Sequence, residues 1–454
     1  MLFSDFFIRQ KRGLAFALLA ALALCAAHSQ ESDSKIVITI QDAVQTALEN
    51  NISLKRSQIQ FDAAARTKKS SWNSVSPAIS MGGGFSKNNE NFAENYSAYV
   101  QASIGITLST NLYSDIKNAA LRYEAGELSY ETAKRSIEMN VRSAFYALLY
   151  QKENISLQEQ NLETTRELYQ TNQRKYSRGA ISEIDVLSSQ VNYERNIPLL
   201  QNAQITHDKN LALFKQMLGL EQDAQIVLSG NLDEIINSLK PNLSGKDESV
   251  RSFVEGSDAK NFELAALEKN LEIAKNSLLA SRFSAYGPTI SAGWSYQPTW
   301  IKTPVAGSSG PNDGGRLSLS INIPLDGLFP WSRKNLEISS AKDNIKDLQL
   351  QIEDKKTSVQ VETQSAIQSI EQMSATLQTL QASERLAERT YQMTQEAYGR
   401  GTRNYTELLS AQNSLENARL SLKQQAYNIA TSILNLENNL GIPFGTLLNN
   451  ENSN

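Results

Sequence analysis

The sequence has few of the residues that build catalytic or metal sites. Its 454 residues include one cysteine and two histidines, His28 and His207, and no phosphate-binding pattern GxxxxGK[ST]. One cysteine cannot form an intramolecular disulfide, and two histidines this far apart argue against a histidine-based metal site. We therefore expect no metal, no cofactor and no catalytic group, and we predict that the protein is not an enzyme.

Net positive charge and long apolar runs are also missing. The formal net charge is −4, which argues against a nucleic-acid partner. After residue 27, no stretch reaches the roughly 20 apolar residues of a transmembrane helix. Aromatic residues make up only 7% of the chain, which favours long helices with polar outer faces over a large compact core.

The N-terminal residues 1–29 are predicted to be an export signal. Lys11 and Arg12 precede an apolar stretch at 13–27, and the polar sequence HSQESDSK follows it. This order of charge, apolar stretch and polar residues is typical of a signal peptide. A permanent N-terminal anchor is the alternative, although the apolar stretch is short for a spanning helix.

Cys25 lies at the end of this apolar stretch, where a lipid-modified cysteine is found in lipoproteins. The preceding residue, Leu24, is bulkier than the small residue that such processing favours. Two readings therefore remain: lipidation of Cys25, or plain cleavage near Ala27 to Ser29.

One motif occurs twice in the chain. YSRGAISEIDVLSSQ (176–190) and YGRGTRNYTELLSAQ (398–412) align at a constant offset, 401 − 179 = 222. LGLE (218–221) and LGIP (440–443) align at the same offset. This similarity predicts a tandem duplication. We divide the chain into a first repeat at 36–221, an inter-repeat linker at 222–246, a second repeat at 247–443 and a C-terminal tail at 444–454.

Each repeat is predicted to contain a helix, two strands, a long helix and a returning helix. Asp42 is the expected N-cap of a first helix that runs to about Ser71. Apolar and polar residues alternate at 96–109 and 317–325, which indicates strands, with partner strands near 78–87 and 289–297. The segments 87–95 and 298–316 are expected to be exposed loops.

Three features favour a membrane sheet over a soluble one. The strands approach the ~9–11 residues that cross a bilayer, and one face of each carries Ser, Thr, Gln and Gly rather than charge. Aromatic residues that suit an interfacial girdle accompany them: Tyr96, Trp294, Trp300 and Trp331. Four strands cannot close a barrel in lipid, so this interpretation requires several chains. A trimer supplies 4 × 3 = 12 strands.

Two long helices are expected at about 116–176 and 333–398, because apolar residues recur there at heptad spacing. Gly179 and Gly401 suit the left-handed position that ends a helix. The chain then returns at 183–219 and 404–440, with Ser182 as N-cap and Asp185 as its capping-box partner. Each copy of the repeated motif is therefore the predicted tip of a helical hairpin.

This doubled arrangement resembles the TolC-type outer-membrane efflux protein family, over about 36–448. The resemblance rests on two copies of helix–strand–strand–helix–helix, on Tyr-x-x-Gly at each tip, and on DVL or ELL followed by Ser-x-Gln after it. It implies an all-α fold with a β-barrel portion. In such a homotrimer, a 12-stranded outer-membrane barrel is continued by a long periplasmic barrel of coiled-coil hairpins.

The resemblance also implies partners and a passive function. The channel would receive drugs, small toxic molecules or secreted polypeptides from a periplasmic adaptor protein and an inner-membrane RND or ABC transporter. Its barrel would lie in outer-membrane lipid and release them to the exterior. The alternative is an exported periplasmic coiled-coil protein that scaffolds the envelope.

Functional residues carry over from the family at matching positions. The adaptor-docking turns correspond to Arg178, Gly179, Arg400 and Gly401. The closed-state gate corresponds to Tyr398, Arg403 and Asp185. Some relatives narrow the entrance with two acidic rings, and here the matching positions are Glu407 and Ser410. A trimer would keep only the ring of Glu407 carboxylates, which weakens the expected block of the channel entrance by cations.

Overall fold

The computed structural model describes residues 36–90, 93–232, 261–303, 307–308 and 314–447. The predicted export signal with Cys25, much of the linker and the end of the tail lie outside the described residues. The helices are α1 (Ile40–Asn50), α2 (Ile52–Lys69), α3 (Asn111–Tyr176), α4 (Glu183–Leu218), α5 (Phe262–Tyr286), α6 (Arg333–Gly399) and α7 (Tyr405–Asn439). The strands are β1 (Ile36–Ile38), β2 (Ala78–Glu90), β3 (Ala93–Ser109), β4 (Ile226–Leu228), β5 (Thr289–Tyr296), β6 (Thr299–Thr303), β7 (Gly307–Ser308) and β8 (Gly315–Asn322).

The first predicted helix is two helices, and its N-cap is Thr39 rather than Asp42. Asp42 is the third helical residue, and its Oδ2 accepts a hydrogen bond from the Thr39 backbone N–H at 3.1 Å. Asn51 then interrupts the helix, because its Oδ1 accepts from the backbone N–H of Ser53 at 2.9 Å and caps α2. Its Nδ2 also donates to the Met217 carbonyl at 2.8 Å, which holds the break against α4.

Strands β2, β3, β5, β6, β7 and β8 form one sheet. β2 and β3 make a long antiparallel hairpin, and the other side of β3 pairs with β5 and then with β6, which lie end to end. β8 pairs with β5, and β7 with β6, so the sheet is four strands wide. β1 and β4 form a separate parallel pair.

The two predicted loops are partly strands. β2 and β3 extend into 87–95, and 298–316 contains β6 and β7. These segments are rich in Gly, Ser and Asn, which have low strand propensity. Within 298–316, however, β6 is TWIKT and consists mostly of strand-forming residues, and it pairs with β3, where Tyr99 and Ala98 are the register partners of Thr299 and Trp300.

The sheet has one apolar and one hydroxyl-bearing face, and both are exposed in the single chain. Paired rows on the apolar face include Ile104 with Trp294 and Trp294 with Leu317, which is 83% exposed. On the other face, serine hydroxyls meet across strands, for example Ser80 and Ser103 at 2.7 Å. The observed register therefore confirms the predicted separation of apolar and hydroxyl-bearing side chains onto two faces.

Long helices carry the rest of the chain. α3 has 66 residues and α6 has 67, so each is about 100 Å long at 1.5 Å per residue. α3 packs against α4 and α7, and α7 packs against α6, which gives the lateral order α4–α3–α7–α6. Closer to the strands, α2 and α5 pack on α3, and α5 packs on α6. Within the described residues, no helix combines the length and the apolar character needed to cross a bilayer.

The main hydrophobic core lies near the middle of the long helices. Phe145, Leu148, Phe214 and Leu218 are almost fully buried there, between α3 and α4. Residues of α1, β1, β4 and α7 pack on the same cluster. This core joins the two repeats.

Candidate gate at the helical tips and candidate channel wall

The first tip is a tight turn between α3 and α4. Gly179 adopts a left-handed φ of 70°, and the Ala180 backbone N–H donates to the Lys175 carbonyl at 3.0 Å. Ser182 caps α4, and its hydroxyl donates to the Asp185 carboxylate at 2.8 Å. The predicted capping box is confirmed.

The second tip has the same backbone but a different cap. Gly401 has a φ of 79°, and the Thr402 backbone N–H donates to the Ala397 carbonyl at 3.0 Å. Asn404 caps α7 by accepting from the Glu407 backbone N–H at 2.9 Å. A side chain at either glycine would be strained, because L-residues rarely adopt this backbone conformation.

Tyr398 is buried between the two hairpins, whereas its counterpart Tyr176 is exposed. Its hydroxyl donates to Oδ1 of Asn172 at 2.6 Å, and Asn172 is fully buried. Lys175 lies over its ring, with Nζ 4.0 Å from the centroid. Tyr398 belongs to α6 and the other two residues to α3, so this contact connects the second hairpin to the first.

Tyr405 packs beside Tyr398 and completes the aromatic cluster. The ring centroids are 6.3 Å apart at an angle of 62°, an edge-to-face geometry. Burial raises the pKa of Tyr405 to about 12. Burial also raises the pKa of Tyr398, and the negative charge of Asp185 adds to this effect. Both phenols therefore stay neutral at physiological pH.

The other predicted gate residues lie near this cluster, but in the single chain each contacts a neighbour within its own tip. Arg403 pairs with Glu407, with 3.3 Å between guanidinium and carboxylate. Asp185 holds Ser182 rather than Arg403. The sequence also gave no indication of Asn172 as the partner of Tyr398. An Asp185–Arg403 contact between chains stays a prediction.

The predicted docking residues are at the surface of the tips. Arg178 and Arg400 are exposed, and Arg400 pairs only with Glu396 of its own helix, at 3.1 Å. Exposed pairs of this kind contribute little to stability, about 0–1 kcal/mol. Both arginines are therefore available to a partner at low cost.

A buried polar network joins α3 to α7 above the tips. Nδ2 of Asn161 donates to Oε2 of Glu416 at 2.8 Å, and Nε2 of Gln412 donates to Oδ1 of Asn161 at 2.7 Å. Gln158 also donates to Glu416, at 3.4 Å. Burial raises the pKa of Glu416. A cavity of about 110 Å³ adjoins the network, lined by Asn161, Gln412, Glu416 and Arg419 among others.

The predicted girdle residues lie on the sheet and at its end. Trp300 is in β6 next to Ala98, and Tyr96 contacts Phe85 with 6.1 Å between ring centroids. Trp331 follows β8 at the opposite end of the strands and packs against Phe329. Trp294 lies farther inside the sheet, between Ile104 and Leu317. Whether these rings form a girdle in lipid stays a prediction.

The fold is therefore a sheet with an exposed apolar face that is continued by two long helical hairpins. A family model described as "Outer membrane efflux protein" matches residues 43–219 and 256–442. The chain belongs to the outer membrane efflux protein family. The chain is thus an outer-membrane protein whose helices extend into the periplasm.

Individual relatives agree with this assignment. The chain is 20% identical over 418 residues to the outer membrane protein TolC of Escherichia coli, covering 88% of this chain and 82% of that protein. It is also 20% identical over 441 residues to TolC of Vibrio cholerae, covering 93% and 95%.

Solved structures share the fold. A membrane protein from Pseudomonas aeruginosa matches with a TM-score of 0.71 at 16% identity, covering 90% of this chain and 92% of that one. The CmeC outer membrane channel of Campylobacter jejuni matches with a TM-score of 0.69 at 17% identity, covering 91% and 90%.

These findings confirm the family resemblance. The outer-membrane location leaves the scaffolding alternative without support. The CmeC structure is that of an outer membrane channel. Within the described residues, no group of His, Cys, Asp and Glu is arranged to hold a metal ion.

Proposed function

We propose that three copies of this chain form an exit duct through the outer membrane. The duct passively conducts substrates delivered by an inner-membrane RND or ABC transporter and a periplasmic adaptor protein. It serves a tripartite efflux or type I secretion system. The main support is that each flank of the single chain has an unpaired strand edge and an outer helix with exposed apolar residues.

The sheet supports closure into a barrel. β2 forms one edge, and β8 continued by β7 forms the other; each edge has backbone groups on one side without a partner in the described sheet. Open edges are not tolerated in lipid, because unsatisfied backbone groups there cost several kcal/mol each. Pairing β8 of one chain with β2 of the next removes every edge, and three chains give 4 × 3 = 12 strands.

The helices support the same closure. α4 and α6 are the two outer helices, and each has exposed apolar residues at heptad spacings. On α4 these are Ile184, Val191 and Ile205, spaced by 7 and 14 residues, and on α6 they form two pairs, Leu336 with Leu350, 14 apart, and Leu386 with Met393, 7 apart. Such a stripe is typical of a coiled-coil seam without its partner. α4 of one chain therefore packs against α6 of its neighbour, on the same flanks as the strand edges.

The tips support contact with an adaptor. Each chain presents two tips with an exposed arginine beside a left-handed glycine, so a trimer presents six. A ring of six similar turns suits a partner that binds in several copies. In this proposal, Tyr398, Arg403, Asp185 and Glu407 form the gate that adaptor contact releases, as a shift between two states.

The test measures oligomeric mass in detergent and conductance in planar bilayers. The wild type is expected to be a trimer with single-channel currents, and Ile205→Lys on the α4 stripe is expected to lose the trimer. Gln204→Lys places the same charge on the neighbouring exposed residue of α4 and is expected to keep the trimer. A monomeric wild type in detergent, or a trimer that does not conduct, contradicts the proposal.

A further inference from the structure

Among the strand residues whose side chains the structure describes, the hydroxyl-bearing face of the sheet carries a single charged side chain, Arg316. Among strand residues whose side chains the structure describes, register places these on that face: Ala78, Ser80, Gly82, Gly84, Ser86, Ser97, Tyr99, Gln101, Ser103, Gly105, Thr107, Ser109, Thr289, Ser291, Gly293, Ser295, Thr299, Ile301, Arg316, Ser318, Ser320 and Asn322. Arg316 is the one charged residue among these described side chains. Its position calls for a separate explanation.

Arg316 lies on β8 among small residues. Its register partner is Ser295, which pairs with Ser103 on the next strand. The next residue of β8 on the same face, Ser318, donates its hydroxyl to the Gly293 carbonyl at 3.2 Å. Nothing in this neighbourhood is as long as Arg316, so its guanidinium extends farthest from the sheet.

Within the described residues, no opposite charge pairs with the guanidinium of Arg316. Its side chain is exposed, and it forms no ion pair with any described residue. A guanidinium has five N–H donors and no acceptor, and its charge persists at any physiological pH. Hydroxyl groups beside it can add donors to the same anion. The surroundings therefore suit a multivalent anion.

Closure of the barrel concentrates this charge. Neighbouring copies of β8 are four strands apart, which is about 19 Å measured perpendicular to the strands at ~4.8 Å per strand and about 25 Å around the wall at a tilt of ~40°. Twelve tilted strands give a barrel radius of roughly 12 Å. At physiological ionic strength the Debye length is about 8 Å, so three inward guanidinium groups hold most of the lumen at positive potential.

We infer that Arg316 forms an anion-binding ring inside the strand barrel, which retains multivalent anions and favours anionic cargo on its way out. The inference rests on the proposed duct and adds its substrate preference. The ligand class is a compound with several phosphate, sulfate or carboxylate groups. Arg316 acts through its charge and does not alter the barrel.

Block of the channel by inositol hexakisphosphate tests this inference. The probe is added to the strand side of trimers in planar bilayers, and the half-blocking concentration is measured. Arg316→Gln is expected to raise that concentration at least about tenfold, whereas Arg316→Lys keeps the charge and changes it less than about threefold. Raising the salt to 1 M, where the Debye length is about 3 Å, is expected to weaken the block of the wild type.

A charge transplant tests the face assignment. Adding Ser320→Arg to Arg316→Gln places a guanidinium two positions from Ser318 on the same face, and it is expected to restore most of the block. Ser318→Glu, with Arg316 retained, is expected to weaken it. Arg333→Gln removes an equal charge from the first turn of α6 and serves as the control with unchanged block.

The outcomes separate this inference from the function it rests on. Absence of conductance in every variant, including the wild type, overturns the exit duct and the anion ring together. Conducting trimers in which Arg316→Gln is blocked as tightly as the wild type overturn the anion ring alone. If Arg316→Gln does not assemble, Ser318→Glu decides, and an unchanged block in that variant is contrary to the inference.

Discussion

The hydroxyl of Tyr398 lies 2.6 Å from Oδ1 of Asn172 and joins the two hairpins of one chain close to their tips. The donor comes from the second repeat and the acceptor from the first. The repeats differ here, because Tyr176 occupies the matching position of the first repeat and is exposed. Separation of the hairpins at this level must break the contact.

Tyr398→Phe combined with Arg403→Ser is expected to increase the single-channel conductance. The first substitution removes the hydrogen bond to a buried amide, which costs about 1–3 kcal/mol, and the second removes the exposed pair with Glu407. Planar-bilayer recordings measure the effect. Tyr176→Phe is the matched control and leaves conductance unchanged. A double variant that conducts like the wild type removes Tyr398 and Arg403 from the gate.

Ile321→Lys is expected to prevent insertion into the outer membrane. Ile321 is on the apolar face, where a lysine in lipid costs about 2–4 kcal/mol at the membrane centre. Ile104→Lys tests the same face on β3. Ser320→Lys, one residue away on the hydroxyl face, is expected to insert normally. Membrane fractionation measures this, and equal insertion of all three variants shows that the faces are assigned incorrectly.

Arg178→Glu with Arg400→Glu is expected to weaken adaptor binding at least tenfold and to leave the conductance of the isolated trimer unchanged. Both side chains are exposed at the tips, and a reversed charge repels a partner surface that accepts an arginine. Co-purification and titration with the adaptor measure this. The control is Arg166→Glu on α3, an exposed arginine away from the tip. Full adaptor binding by the double variant eliminates these arginines as docking residues.

Glu416→Gln is expected to become more stable, relative to the wild type, as the pH rises. Burial raises the pKa of Glu416 above its usual 4.5, so the folded state binds the proton more tightly than the unfolded state. The stabilising contribution of this carboxyl is therefore complete below pH 4.5 and is lost as the pH rises through the raised pKa.

Thermal unfolding of both proteins from pH 4 to pH 8 measures the difference. The melting temperature of Glu416→Gln minus that of the wild type should increase across the window above pH 4.5. Glu159→Gln removes an exposed glutamate of α3 and should give a flat difference. A flat difference for Glu416→Gln as well indicates that the carboxyl is not desolvated.

The sequence was sufficient to predict the order of elements and both tips, because these depend on local chemistry. Gly179 and Gly401 must occupy left-handed positions, and Ser182 with Asp185 is a capping box that can be read from adjacent residues. The two faces of the sheet were predictable for the same reason, since strand alternation is visible in a single segment.

Long-range contacts could not be predicted in this way. Asn172 is 226 residues from Tyr398, and its own neighbours along α3 do not distinguish it from other helical asparagines. β6 is short and lies beside residues rich in Gly, Ser and Pro, so its pairing with β3 could not be read from the sequence. Asn51 interrupts a helical pattern because its amide reaches Met217, a contact that exists only in the folded chain.

The chain has two open flanks, with β2 and α4 on one side and β8 and α6 on the other. Assembly is therefore sensitive to the mixing of intact and defective chains. In the proposed trimer a defective subunit cannot be bypassed, since each ring needs three intact junctions. A cell that makes equal amounts of intact and flank-defective chains therefore obtains only about one-eighth of its rings entirely from intact chains, because (1/2)³ = 1/8. A defect at one flank would thus be genetically dominant.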